Sequence, residues 1–174
     1  MTASLYANTA TEEYIQSEAI TKDSGIKAKK NNAMRTPLYF TLEEMLDSSI
    51  ARQKGISNLP SWEIVENLNE LGLFLDDIRT AWGGGITVTS GFRCPALNKA
   101  AGGVSDSLHQ KGFAADIRPS NGDMAKFKVF IVSYLKDKDF DECILEKSKK
   151  SEWVHIQLYS NKGFQRKKVF SLTK

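Results

Sequence analysis

The strongest constraint on the fold is a single stripe. Between positions 64 and 82, Ile64, Val65, Leu68, Leu71, Phe74, Leu75, Ile78 and Trp82 recur every three or four residues. That period marks an amphipathic helix with one buried face. Pro60 and Ser61 introduce it, and Gly83, Gly84 and Gly85 stop it. Upstream, Thr41 followed by Glu44 is a capping box, so a helix is expected from Leu42 to about Gln53, ending before Gly55. Downstream the pattern changes. Ile86 to Thr89 alternates apolar and polar residues and is β-branched, as a strand should be. Further strands are expected near Phe113 to Ile117, Glu142 to Leu145, Trp153 to Leu158 and Val169 to Leu172. Pro95 opens a short helix to about Ala101. Another helix is expected from Gly122 to Leu135, with Met124, Phe127, Phe130, Ile131 and Tyr134 inward. Helices first and strands mostly later, joined by short loops, give an α+β fold: N-terminal helices packed on a small antiparallel sheet.

A chain of 174 residues is about one domain and can bury a core without disulfides. Residues 1–35 are rich in Thr, Ser, Ala, Asn, Lys and Glu without an apolar period. They read as a poorly ordered extension, with a short helix near Glu12 to Ala19, and residues 36–174 as the domain. No apolar run approaches the roughly 20 residues that cross a bilayer. Met1 to Ala10 lacks the basic and apolar regions of a secretory signal. The expectation is a monomer made in the cytoplasm.

The net charge of +3 is too weak to imply nucleic-acid binding. Its distribution is uneven. Residues 147–174 carry eight Lys/Arg against one Asp/Glu, so the C-terminal segment is basic. It reads either as a solvated basic hairpin or as a surface attracted to polyanions such as a bacterial wall. The two cysteines, Cys94 and Cys143, have no CxxC partner and are expected to be free thiols.

Only two histidines occur, His109 and His155. Zinc in a catalytic site takes three protein ligands and keeps one position open for water, and two His with one Asp satisfy that count. His109 and Asp116 are seven apart, too far for one helical face, but a turn at Gly112 can bring them together. Trp153, His155 and Gln157 share one face of their strand, while Val154, Ile156 and Leu158 share the apolar face. His155 is therefore presented away from the core.

The segment Ser107-Leu108-His109-Gln110-Lys111-Gly112-Phe113-Ala114-Ala115-Asp116 resembles the S-x-H-x-x-G-x-A-x-D signature of the zinc D-Ala-D-Ala carboxypeptidase family, which shares a fold with hedgehog signalling domains. Ser90-Gly91-Phe92-Arg93, then Pro95-Ala96-Leu97-Asn98 with Gly102-Gly103, and Trp153-Val154-His155 resemble further elements of its bacterial and phage wall-peptidase branch. The resemblance covers roughly Phe40 to Tyr159. It implies that His109, Asp116 and His155 are zinc ligands. It implies Glu152 as general base, matching an E-x-x-H element, and Arg93 as the group that binds or polarises substrate. Ser107 and Trp153 would line the substrate site.

The implied activity is hydrolysis of peptidoglycan stem peptides by metal-activated water, of D-Ala-D-Ala carboxypeptidase type. An endolysin endopeptidase of L-Ala-D-Glu type uses the same metal site. A non-catalytic zinc-containing wall-binding or virion module, and a purely structural zinc site, are further readings. The substrate lies outside the cell, which a phage lysis enzyme released through membrane pores would reconcile with the absent export signal. Glu152 is opposed by strand alternation, which points it away from His155, and Glu146 competes for its role. Cys94, directly after Arg93, is either a packing residue or a fourth ligand.

Overall fold

The computed structural model describes residues 35–173. The expectations for the N-terminal extension, including the helix near Glu12 to Ala19, concern residues outside this range. The chain divides at Arg35, and Thr36–Lys174 forms the compact unit described below.

The helical half begins with α1 (Leu42–Leu46) and α2 (Ser49–Lys54). The sequence predicts one helix here and the structure has two. The break has a local cause. Ser48 caps α2 by accepting from the Ala51 N–H, which pulls Asp47 and Ser48 into extended conformations. The long helix α3 (Trp62–Trp82) is capped by Ser61 and ends in Gly83, which is left-handed. Leu68, Leu71, Leu75 and Ile78 are its buried stripe.

The sheet comprises β1 (Ile86–Ser90), β2 (Ala114–Pro119), β3 (Glu142–Lys147), β4 (Glu152–Gln157) and β5 (Lys168–Thr173), in spatial order β1-β2-β4-β3-β5. The first four pair antiparallel. The last strand pairs parallel to β3, which alternation patterns cannot reveal. Two more helices complete the domain, α4 (Pro95–Ala100) and α5 (Met124–Tyr134).

One face of the sheet carries Ala115, Ile117, Val154 and Ile156, none of them exposed. It packs against the stripe of α3 and against Phe127 and Ile131 of α5. Trp82 closes this layer with its ring 5.2 Å from that of Phe127, edge-on. Alternation then forces Asp116, His155, Ile144 and Glu146 onto the opposite face. The core thus sets the orientation of every polar residue on the other side.

The domain is tied at both ends. The Asp76 carboxylate on α3 accepts from the Leu38 and Tyr39 N–H groups at 2.5 and 3.0 Å. Arg79 stacks over the Tyr39 ring at 4.3 Å. At the other end, Asp141 is fully buried and accepts from Gln157 and twice from the Arg166 guanidinium. Burial pushes the Asp141 carboxyl up, but these donors outweigh it and hold the group below the usual range. Lys167 pairs with Asp139, and Arg166 also reaches Glu142. Arg166, Lys167 and Lys168, three of the eight basic residues of this segment, are therefore matched by Asp139, Asp141 and Glu142 at the entry to β3.

Candidate metal centre

Three elements bring the site together. β2 and β4 pair with Asp116 directly opposite His155, so the two side chains stand on neighbouring strands of the same face. His109 comes from the short 3₁₀ turn Leu108–Lys111 that precedes β2. Gly112 ends that turn at φ +74°. A Cβ there would also lie 3.0 Å from the Ile64 carbonyl oxygen and 3.1 Å from the Leu68 side chain. Glycine is thus needed twice over, and it swings the chain back so that residues seven apart meet.

The ring nitrogens and the carboxylate converge. His155 Nδ1 lies 2.9 Å from Asp116 Oδ1 and 3.2 Å from His109 Nε2. His109 Nε2 lies 3.4 Å from Asp116 Oδ1. Zinc ligands at 2.0–2.1 Å in a tetrahedron are separated by about 3.3 Å along each edge. The three observed separations of 2.9, 3.2 and 3.4 Å bracket that edge, so the donor set fits a tetrahedral metal with one position left over.

The outer contacts favour the same use. His109 Nδ1 is 2.7 Å from the Gly91 carbonyl, which can only accept, so Nδ1 carries the proton and the Nε2 lone pair faces the cluster. Gly91 is required for this contact. A Cβ there would sit 2.2 Å from the Met45 carbonyl oxygen. Burial lowers the His109 pKa and keeps the ring neutral against the pull of Asp116. Burial pushes the Asp116 carboxyl up, yet the two imidazoles outweigh it and hold the group well below the usual carboxylate range. A neutral His109 ring and an ionised Asp116 are the forms in which these two groups bind metal.

Arg93 enters from the loop after β1, its N–H bonded to the His109 carbonyl at 3.1 Å. Its buried Nε has no hydrogen-bond partner. Desolvation pulls its pKa down, while Asp116 and then Glu146 push it back up. The guanidinium therefore sits in the field of both carboxylates. Asn58, which the sequence reading missed, fixes this loop. Its Nδ2 donates to the carbonyls of Leu46 and Phe92, and its Oδ1 accepts from the Cys94 N–H. A lone Asn between two helices carries no sequence signal of that role.

The two glutamates fall on opposite faces. Glu152 opens β4 in register with Lys147 and bonds Lys147 at 2.9 Å and Lys128 of α5 at 2.7 Å. Lys128, then Lys147, pulls its pKa down to about 2. It is held on the α5 side of the sheet and the structure does not bring it to the cluster, because the strand starts at Glu152 without a bulge. Glu146 stands opposite Trp153, on the face of His155, and is 5% exposed. Trp153 is half-buried on that face. Ser107 precedes the His109 turn without capping it through its side chain.

Cys94 turns away from the cluster. Its sulfur caps α4, accepting from the Leu97 N–H at 3.5 Å and donating to the Ser57 carbonyl. Both cysteines are free. Among the described residues, His109, Asp116 and His155 are the group of metal-ligating side chains that converges.

The family model of Peptidase M15 matches residues 38–157, from the Asp76 clamp to the last residue of β4. The chain belongs to the Peptidase M15 family. M15 peptidases are zinc-dependent enzymes acting on peptidoglycan-type substrates, and the fold of this member is the family's α+β arrangement. No curated protein matches the chain. None of the described helices of this M15 member is long and apolar enough to cross a membrane.

Proposed function

We propose that this M15 member hydrolyses peptidoglycan stem peptides as a zinc enzyme of the D-Ala-D-Ala carboxypeptidase type. The observation that carries this reading is the spacing of three donors at 2.9–3.4 Å, backed by an arginine and a buried glutamate. His109, Asp116 and His155 hold the metal in the proposed site. A bound zinc supplies Lewis acidity and a water acidified toward a pKa of about 7. Glu146, rather than Glu152, takes the proton from the attacking water and delivers it to the leaving amine. Arg93 faces the charge that develops on the carbonyl oxygen, where a preorganised cation is most effective in a dry site. Ser107 and Trp153 flank the substrate. The proposed domain comprises residues 36–174, acting on the bacterial wall.

The test is incubation of the zinc-loaded protein with pentapeptide-stem fragments, with and without chelator, and mass spectrometry of the products. Chelator-sensitive loss of the terminal alanine is the expected result. A chelator-sensitive internal cut would replace the carboxypeptidase assignment with an endopeptidase. No cut with zinc confirmed bound would leave a non-catalytic wall-binding module.

A further inference from the structure

The turn that presents His109 has a second side. Leu108, Gln110 and Lys111 face a cleft of about 620 Å³, closed by the first turn of α3 and by the loop after β4. That volume lies within the roughly 300–1,000 Å³ typical of small-ligand sites. Nothing in the proposed peptidase chemistry uses this cleft.

Its lining has a distinct chemistry. Phe113 and Tyr159 form an aromatic wall, with ring centroids 5.1 Å apart and planes at 76°. The Tyr159 hydroxyl donates to Glu70 at 2.6 Å, which fixes the ring. Three side-chain amides stand around it. Asn67 donates to the Lys111 carbonyl, Gln110 to that of Ser105, and Asn161 to that of Asp106, each at 2.9 Å. Each amide is thus pinned through one N–H, which leaves its second N–H and its carbonyl oxygen, held in place, for a ligand. Glu63 adds a carboxylate and Lys111 an ammonium, so the charged groups of the lining balance.

Such a rim selects its ligand. Amide donors and acceptors with one charge of each sign favour a neutral, hydroxyl-rich ligand over phosphate or sulfate. A peptide backbone can meet these amides but offers no flat C–H face to the aromatic wall. A saccharide brings several hydroxyl and N-acetyl N–H donors, together with an apolar C–H face that packs on an aromatic ring. We infer that this cleft is a glycan site, which holds the amino-sugar strand of the wall while the stem peptide reaches the metal on the other side of the same turn. The inference rests on the peptidoglycan reading for its choice of sugar. The lining chemistry alone supplies the preference for a saccharide.

The experiment is a ¹⁵N–¹H titration of the full chain with chitotetraose, an N-acetylglucosamine oligomer without any peptide. It is run with zinc and again with chelator. Saturable shifts confined to positions 61–67, 108–113 and 159–163 are expected in both. In the Tyr159→Ala and Glu63→Ala variants, each checked for native spectral dispersion, the dissociation constant should rise about tenfold and about threefold, respectively, from the lost ring contact and hydrogen bond. Glu63 is exposed, so that variant stays informative if Tyr159→Ala fails to fold. The inference is overturned by absence of saturable shifts at millimolar oligomer, by shifts around Arg93 and Trp153 instead, by a free stem peptide that shifts the cleft residues, or by unchanged affinity in folded variants. Because the readout is binding, it stands apart from peptide cleavage. A protein that binds chitotetraose in the cleft yet cuts no stem peptide would sink the peptidase reading alone.

Discussion

Replacing Glu146 and Glu152 separately by glutamine sets two isosteric substitutions against each other on the same hairpin. Glu146 is 5% exposed, stands opposite Trp153 and shares the field at Arg93 with Asp116. Glu152 is tied to Lys128 and Lys147 on the other face of the sheet. A positioned general base contributes about 10²–10⁴-fold. At 1.36 kcal/mol per tenfold, Glu146→Gln should raise the barrier by about 3–5 kcal/mol. Zinc should stay bound, because Glu146 is outside the group of three donors. Glu152→Gln should leave kcat within about threefold of the parent, since a carboxylate on the far face cannot reach the attacking water. The assay is steady-state release of alanine from a stem pentapeptide, with zinc content measured on each preparation. Retained turnover in Glu146→Gln, or lost turnover with full zinc in Glu152→Gln, would refute the assignment by strand face.

Three further outcomes follow from the geometry. Asn58→Ala removes three hydrogen bonds to the backbone around Arg93 and should cost about 1–3 kcal/mol in urea unfolding, with kcat falling more than KM changes. Native protein at pH 8 should react with a thiol reagent at Cys94 only, because Cys143 is fully buried and burial pushes its thiol up to about 12; mass spectrometry of labelled peptides checks this. The Glu152 carboxyl should titrate near 2 by NMR. Its folded value lies below the ordinary 4.5, so its contribution to stability is complete above pH 4.5 and disappears as pH falls through about 2. A midpoint near 4.5 would show that the lysine pair does not form.

Much of this molecule was legible because its elements obey simple periods. The stripe from Ile64 to Trp82 became α3 with the expected bounds, and the face carrying His155 followed from counting by two along β4. The same counting along β4 puts Glu152 on the face away from His155, where it bonds Lys128 and Lys147. The features that escaped are those with no local signature. The split between α1 and α2 depends on one serine that caps instead of continuing the helix. The parallel pairing of β5 depends on contacts between distant segments. The role of Asn58 depends on three backbone groups that meet only in the folded state. The Gly91 in Ser90-Gly91-Phe92-Arg93 was visible as a motif, and its reason, the approach of the Met45 carbonyl, was not.

The order of the strands gives the sheet a gradient of exchange lifetimes. All six residues of β5 are exposed, and none of its side chains is fully buried, so that rail rests chiefly on its ladder and on the Arg166–Asp141 clasp. Its amides should open on a fast, local scale. β2 and β4, each flanked on both sides, carry Asp116 and His155 at the slow end of that gradient. Fraying that begins at the β5 border must cross β3 before it reaches a metal ligand. The site is thereby insulated by position in the sheet, and the outermost strand is free to be remodelled without retuning the centre.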